Sequence, residues 1–245
     1  EIVEEIAVEK NIKLDLKGFN KLMNNQRSKS RKNSNFEIKD TSFINKETHS
    51  LFVGYENLSL SSNVLEIYVS DKSIKTLNQL NTPFMLVTDN TPFYPEGGGQ
   101  ISDIGTISSK NTKIKVLNVQ KINNLILHHT ILESGEITVG DRVQMEIDAL
   151  RRKKITINHS STHLLNQALR EVLGSHVEQK GSLVTDKYLR FDFSHNKPLT
   201  SDEIQSIEKI ISNEISACVS TKQKVTSYKK AIESGALAFF DEKYD

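Results

Sequence analysis

Two histidines separated by three residues stand out: His159-Ser-Ser-Thr-His163. On a helix, residues four apart share a face, so both imidazoles can reach one metal ion. The competing reading is a pair of exposed or capped histidines, with Asn158 or Ser160 near the start of the helix. A zinc-protease function is excluded, because that chemistry needs Glu directly after the first His as general base and Ser160 stands there. Two ligands do not close a tetrahedral site, which needs three or four. His176, His195 and Cys218 are the remaining candidates, and none forms a second paired motif with another ligand. Cys218, in Ile-Ser-Ala-Cys-Val, is expected to be a small buried hydrophobe. From the residues alone the chain holds half of a metal site.

Two further features lie near this pair. Residues 151–190 carry eight Lys and Arg (Arg151, Arg152, Lys153, Lys154, Arg170, Lys180, Lys187, Arg190) against three acids (Glu171, Glu178, Asp186), a net charge of +5. Such a patch suits a phosphate-bearing or nucleic-acid partner and equally suits a solvated face. The segment Thr91-Pro-Phe-Tyr-Pro-Glu-Gly97-Gly98-Gly99-Gln100 places three glycines together, which lets a backbone approach a ligand closely. It is neither GxGxxG nor a Walker A loop, so it gives ATP binding no support. It reads either as a turn between strands or as a loop that touches RNA.

The elements that must position these residues follow from hydrophobic periodicity. Residues 1–36 read as a helical tail, with Phe19, Leu22 and Met23 on one stripe. Five bases and no acid lie between 21 and 33, either a solvated helix end or a phosphate contact. Residues 37–50 read as a linker. From Leu51 to Ile147 the period is two, in short apolar runs split by polar turns, which predicts a small antiparallel barrel-like or sandwich unit. From Asp148 the period returns to 3.6, and Leu164, Leu165, Ala168, Leu169, Val172 and Leu173 form one face, with Gly174 as the stop. Strands are predicted around 176–184 and 188–194. Thr200 to Glu203 reads as a capping box, opening a helix that buries Ile204, Ile207, Ile210, Ile211 and Ile215. The fold class is α+β: a helical tail, a β-barrel-like subdomain over 51–147, and an α+β subdomain over 148–245.

The composition bounds the function. The chain has 245 residues, 32 Lys and Arg against 31 Asp and Glu, and one cysteine. One cysteine excludes a disulfide framework and fits a reducing, cytoplasmic setting. Mean hydropathy of −0.43 and the lack of an apolar run near 18 residues exclude a helical membrane span. The start lacks Met and a signal peptide, and the end lacks a stop signal, so the chain is expected to be an internal piece of a longer protein.

Three segments together resemble the alanyl-tRNA synthetase family, over about 200 residues and in the same order: Thr91–Gly105, Asn158–His195 and Gly235–Asp245. Residues 1–35 also resemble the end of the helical region that follows that family's aminoacylation domain. The resemblance implies that the chain carries most of an editing region, of the second-additional-domain type shared with threonyl-tRNA synthetase. It implies Zn2+ held by His159 and His163, with two more ligands from a Cys-x-x-x-His motif beyond Asp245. It points to Thr162 and Gln179 in the editing pocket as catalytic, and to Gly97, Gly98, Gly99, Gln100 and Arg190 as contacts for the substrate or tRNA. ATP and Mg2+ would belong to the aminoacylation domain, whose motifs would lie before Glu1. The implied partners are tRNA(Ala) and its mischarged seryl and glycyl forms. The family usually has Gly where Asp241 stands, which puts a strained turn there in doubt. A freestanding trans-editing hydrolase and a non-catalytic tRNA-binding module are the alternatives.

Overall fold

The structure is a computed structural model that describes residues 10, 12–32, 43–45, 47–218 and 226–234. The expectations for residues 1–9, for Asp241 and for the 235–245 segment lie outside these residues. The chain divides into two compact units, Glu1–Ile44 and Asn45–Asp245.

In the first unit, helix α1 spans Leu16–Lys32. Asp15 starts it, since its Oδ1 accepts from the Gly18 amide at 2.8 Å. Phe19, Leu22 and Met23 lie together on one face and are exposed. Of the basic run, Lys21 is exposed. The side chains of Arg27, Lys29, Arg31 and Lys32 lie outside the described residues.

The second unit is built around a barrel. Its strands are β1 (Leu51–Phe52), β2 (Ser59–Val69), β3 (Lys72–Ile74), β4 (Thr76–Leu77), β5 (Pro83–Thr88), β6 (Asn90–Thr91), β7 (Gly105–Ser108), β8 (Lys113–Ile122), β9 (Leu125–Ser134), β10 (Ile137–Thr138) and β11 (Arg142–Ile147). Six of them run β11-β7-β8-β9-β5-β2, and β11 pairs back onto β2 to close the ring. All these pairings are antiparallel. Strand β2 makes closure possible. Its first half pairs with β11 and its second with β5, and its register with β5 shifts between Val64 and Glu66. Such a bulge bends one strand so that it serves two neighbours.

Alternation fills the interior. In β11, Val143, Met145 and Ile147 are buried while Arg142, Gln144 and Glu146 are exposed. They join Ile67, Leu86, Ile107, Ile114, Val119 and Leu132 in one core. Buried polar side chains accompany it, among them Thr88, His128 and Thr130. His128 is fully buried. Its Nδ1 lies 2.9 Å from the Leu86 carbonyl, and its Nε2 lies 2.8 Å from Thr91 Oγ1. A carbonyl only accepts, so Nδ1 carries the proton and Nε2 accepts from the Thr91 hydroxyl. Thr91 Oγ1 accepts in turn from the Phe93 amide at 3.1 Å. Burial lowers the His128 pKa to about 4, so this network is neutral.

After the barrel come α2 (Ala149–Leu173), β12 (Gln179–Val184), β13 (Leu189–Phe193), α3 (Ser201–Ala217) and α4 (Tyr228–Glu233). Strands β12 and β13 form an antiparallel hairpin sheet, and α2 packs on α3 and on both strands. Ala168, Leu169, Val177 and Ile207 form the buried centre, flanked by Leu165, Val172, Phe191, Phe193, Ile210 and Ile211. The chain is thus a mixed α/β protein built around a closed six-strand barrel.

Three expectations need correction. Helix α2 begins at Asp148, where the helical period returns, and not near Asn158 or Ser160 as the competing reading of the histidine pair had it. Asp148 caps it, its carboxylate accepting from the Arg151 amide at 2.9 Å, and His159 lies more than two turns further on. The first turns are rich in Lys and Arg, so the apolar face begins late. The capping box at Thr200 and Glu203 forms as the sequence predicts, but α3 buries only Ile207 fully. Ile204 and Ile215 are exposed, because the layer beneath α3 reaches only its middle. Cys218 is also exposed, as the left-handed residue that ends α3 at φ 48°. No glycine marks that stop in the sequence.

Candidate functional site

Helix α2 carries the site. His159 and His163 lie side by side, with ring centroids 5.3 Å apart and planes 20° from parallel. Burial, and then the neighbouring His163, lower the His159 pKa, which favours the neutral imidazole that ligates a metal. The spacing of the pair brings both rings within reach of one ion. Among the described residues, no group of three or more His, Cys, Asp or Glu is gathered to hold a metal. His176 and His195 do meet, with Nε2 and Nδ1 2.9 Å apart, in a separate pair.

Thr162, which precedes His163 in the chain, is buried. Its hydroxyl donates to the Asn158 carbonyl at 2.9 Å. That uses its only proton and leaves its oxygen lone pairs to accept from a ligand. Gln179 opens β12 opposite Phe193, half-buried, beside a register shift between Gln179 and Gly181.

The glycine loop reaches α2 from the barrel. Gly97 and Gln100 exchange backbone hydrogen bonds of 3.1 and 2.9 Å across Gly98 and Gly99, which have φ of 58° and 82°. This is the two-residue turn that needs left-handed residues at both centres, hence glycine twice. The loop then docks on β12. The Val184 amide donates to Gly99 O at 2.7 Å, and the Ile101 amide donates to Val184 O at 3.1 Å. A Cβ on Gly99 would sit 2.2 Å from Ser182 Oγ and 2.7 Å from Ser182 O. The close backbone approach at Gly99 is thus to the protein's own strand. Gly98 points into open space. Gln100 is buried, and its Oε1 lies 2.5 Å from His159 Nδ1.

Two arginines of the basic segment serve the fold. Arg152 is bonded through Nε to both oxygens of the buried Asp103 at 3.0 Å, through Nη1 to Gly54 O at 2.7 Å, and through Nη2 to Pro92 O at 2.9 Å. Arg151 donates to Ser102 O at 2.7 Å and lies 3.6 Å from Asp186. Together they fix the start of α2 against the segment that leads out of the glycine loop. Arg190 is exposed and pairs with Asp192 at 3.1 Å, and Lys180 pairs with Glu178 at 2.7 Å. Asp103 and Asp192, two acids outside the segment, thus offset part of its net charge. Lys153, Lys154 and Lys187 are exposed.

One residue of this face escapes a reading by motif. Asn166 is buried on α2, and its Oδ1 has no hydrogen-bond partner. It follows Thr162 by four residues and His163 by three, so it belongs to the same side of the helix. A polar residue at that spacing, flanked by Leu164, Leu165, Ala168 and Leu169, is the signal that could have found it.

With this geometry in hand, comparison with known families adds one finding. The family model described as tRNA synthetases class II (A) matches residues 1–151, which is more than half of the chain. The match spans the barrel and ends in the first turn of α2, before His159. The chain belongs to the class II (A) tRNA synthetases, a family of ligases whose partner is tRNA.

Proposed function

We propose that this chain is the editing region of an alanyl-tRNA synthetase, and that it hydrolyses the ester of seryl- and glycyl-tRNA(Ala). The observation that carries the reading is the side-by-side pair of His159 and His163, with buried Thr162 next to His163 in the chain and Gln100 against His159. The three segments that resemble the alanyl family support it, as does membership of the synthetase class.

The need for such a site is physical. A pocket for alanine cannot exclude the smaller glycine sterically, and it rejects an added hydroxyl only weakly. A second site that bonds the serine hydroxyl selects it positively. Thr162 is suited to that, since its oxygen retains accepting capacity while its own proton is held by Asn158. Zinc, held by His159, His163 and a Cys-x-x-x-His pair outside these 245 residues, would supply Lewis-acid polarisation or water activation. Gln179 has no pKa for general-base work, so its role is to orient water or the terminal adenosine. Exposed Lys153, Lys154 and Lys187 would meet the tRNA backbone, with Arg190 at the edge. Alanine transfer with ATP and Mg2+ would belong to the rest of the synthetase, in the cytoplasm.

The test is deacylation of Ser-tRNA(Ala) by the full-length protein and by His163→Ala. The variant is expected to lose zinc and hydrolysis together. Full hydrolysis by the variant would refute the metal role. A wild-type protein that binds tRNA and leaves the ester intact would make the region a binding module instead.

A further inference from the structure

We propose that Gln100 is a positioning residue for His159: its amide oxygen holds the proton on Nδ1 and so leaves Nε2 as the lone pair offered to the site. The proposal rests on the reading of His159 and His163 as metal ligands for its purpose, but not for its geometry.

The contact itself is short, 2.5 Å from His159 Nδ1 to Gln100 Oε1. An amide oxygen only accepts, so a neutral imidazole facing it carries its proton on Nδ1. Free imidazole has no such constraint, and a ligand that must first change tautomer or rotate binds metal less well. Outer partners that fix the ring of a ligating histidine are worth about 10- to 100-fold in metal affinity.

The structure holds Gln100 in place by means that do not involve its side chain. Its backbone closes the Gly97–Gln100 turn through two hydrogen bonds, and the flanking Gly99 and Ile101 are both bonded to Val184. Gln100 is 6% exposed, so water does not compete freely for its amide. The glycine loop thereby gains a specific task. Its left-handed turn and its docking on β12 deliver one acceptor, from 59 residues away in sequence, to the ring nitrogen that must not ligate.

The same backbone bonds make the test clean, because changing the side chain leaves the turn intact. The full chain, labelled with 15N at histidine, is examined by NMR at pH 8 without added metal, with His159→Ala for assignment. In the wild type, His159 is expected to show a protonated Nδ1 and an unprotonated Nε2. Gln100→Leu should shift it toward the Nε2-protonated form, and Gln100→Glu, which keeps an acceptor, should retain the Nδ1 proton. Unchanged His159 shifts in Gln100→Leu, with circular dichroism confirming the fold, would overturn the proposal. A zinc titration of the full-length synthetase is the second arm. A 10- to 100-fold loss of affinity in Gln100→Leu, restored in Gln100→Glu, supports the role toward the metal. If the tautomer moves while the wild type takes up no zinc, the lock on His159 stands and the metal reading fails.

Discussion

His128 should make this protein lose stability in mild acid, by an amount that its surroundings set. The imidazole has no exposed surface, and its partners are a carbonyl and a hydroxyl. Both are satisfied by the neutral ring, and neither carries the negative charge that would favour an imidazolium. Burial brings the folded-state pKa from 6.5 down to about 4. The unfolded chain therefore takes up a proton between pH 6.5 and 4 while the folded chain does not. The contribution is fully present above pH 6.5 and is lost as the pH falls through 4. Between pH 7.5 and 4.5 the linkage amounts to about 2.5 kcal/mol, with a slope of about 1.2 kcal/mol per pH unit around pH 5.5. His128→Asn isolates this from other titrating groups, since its amide can still donate to Leu86 O but does not titrate. At pH 7.5 the variant should be about 2–4 kcal/mol less stable, from the lost Thr91 bond and the smaller volume. That gap should narrow by about 2.5 kcal/mol at pH 4.5. Urea unfolding followed by circular dichroism measures it, the chain having no tryptophan. Parallel pH profiles for the two proteins would show that His128 does not resist protonation, and the reasoning from its burial would fail.

Three other substitutions test separate features. Arg152→Ala leaves the Asp103 carboxylate buried without its cation, and should cost about 3–5 kcal/mol in denaturant unfolding. Gly99→Ala meets both an unfavourable φ and Ser182, whereas Gly98→Ala meets only the backbone cost of about 1–2 kcal/mol. Ser-tRNA(Ala) deacylation should therefore fall much further in the first than in the second, and equal losses would refute the docking argument. Asn166→Leu removes a buried acceptor that has no partner, so it should stabilise by about 1 kcal/mol while lowering deacylation. A destabilised variant with full activity would make Asn166 a structural residue.

The sequence revealed those features in which neighbours along the chain settle the outcome. Alternation in Val143 to Ile147 gives the inward face of β11 directly, and spacing alone puts His159 and His163 together. The Thr200 capping box needs only residues three apart. What stayed hidden depends on distant partners. Nothing local tells that Gln100 meets His159, that Gly99 avoids Ser182, or that Arg152 spends its guanidinium on Asp103, Gly54 and Pro92. Counting charges along the chain likewise cannot tell which cations are paired across it, as Arg152 is with Asp103. Cys218 misled because a helix may end on a non-glycine residue in the left-handed region, which leaves the side chain at the surface.

The docking of the glycine loop on β12 also bears on how this protein can be divided. Gln100 pairs with Val184 as a short parallel bridge, so a segment emerging from the barrel lengthens the β12–β13 sheet. Cutting the chain at Asp148, between the last barrel strand and α2, would strip that sheet edge of its partner and separate His159 from Gln100. Barrel and hairpin layer therefore have to be moved together. A graft of α2 with its hairpin onto another scaffold would carry both histidines and arrive without the segment that orients one of them.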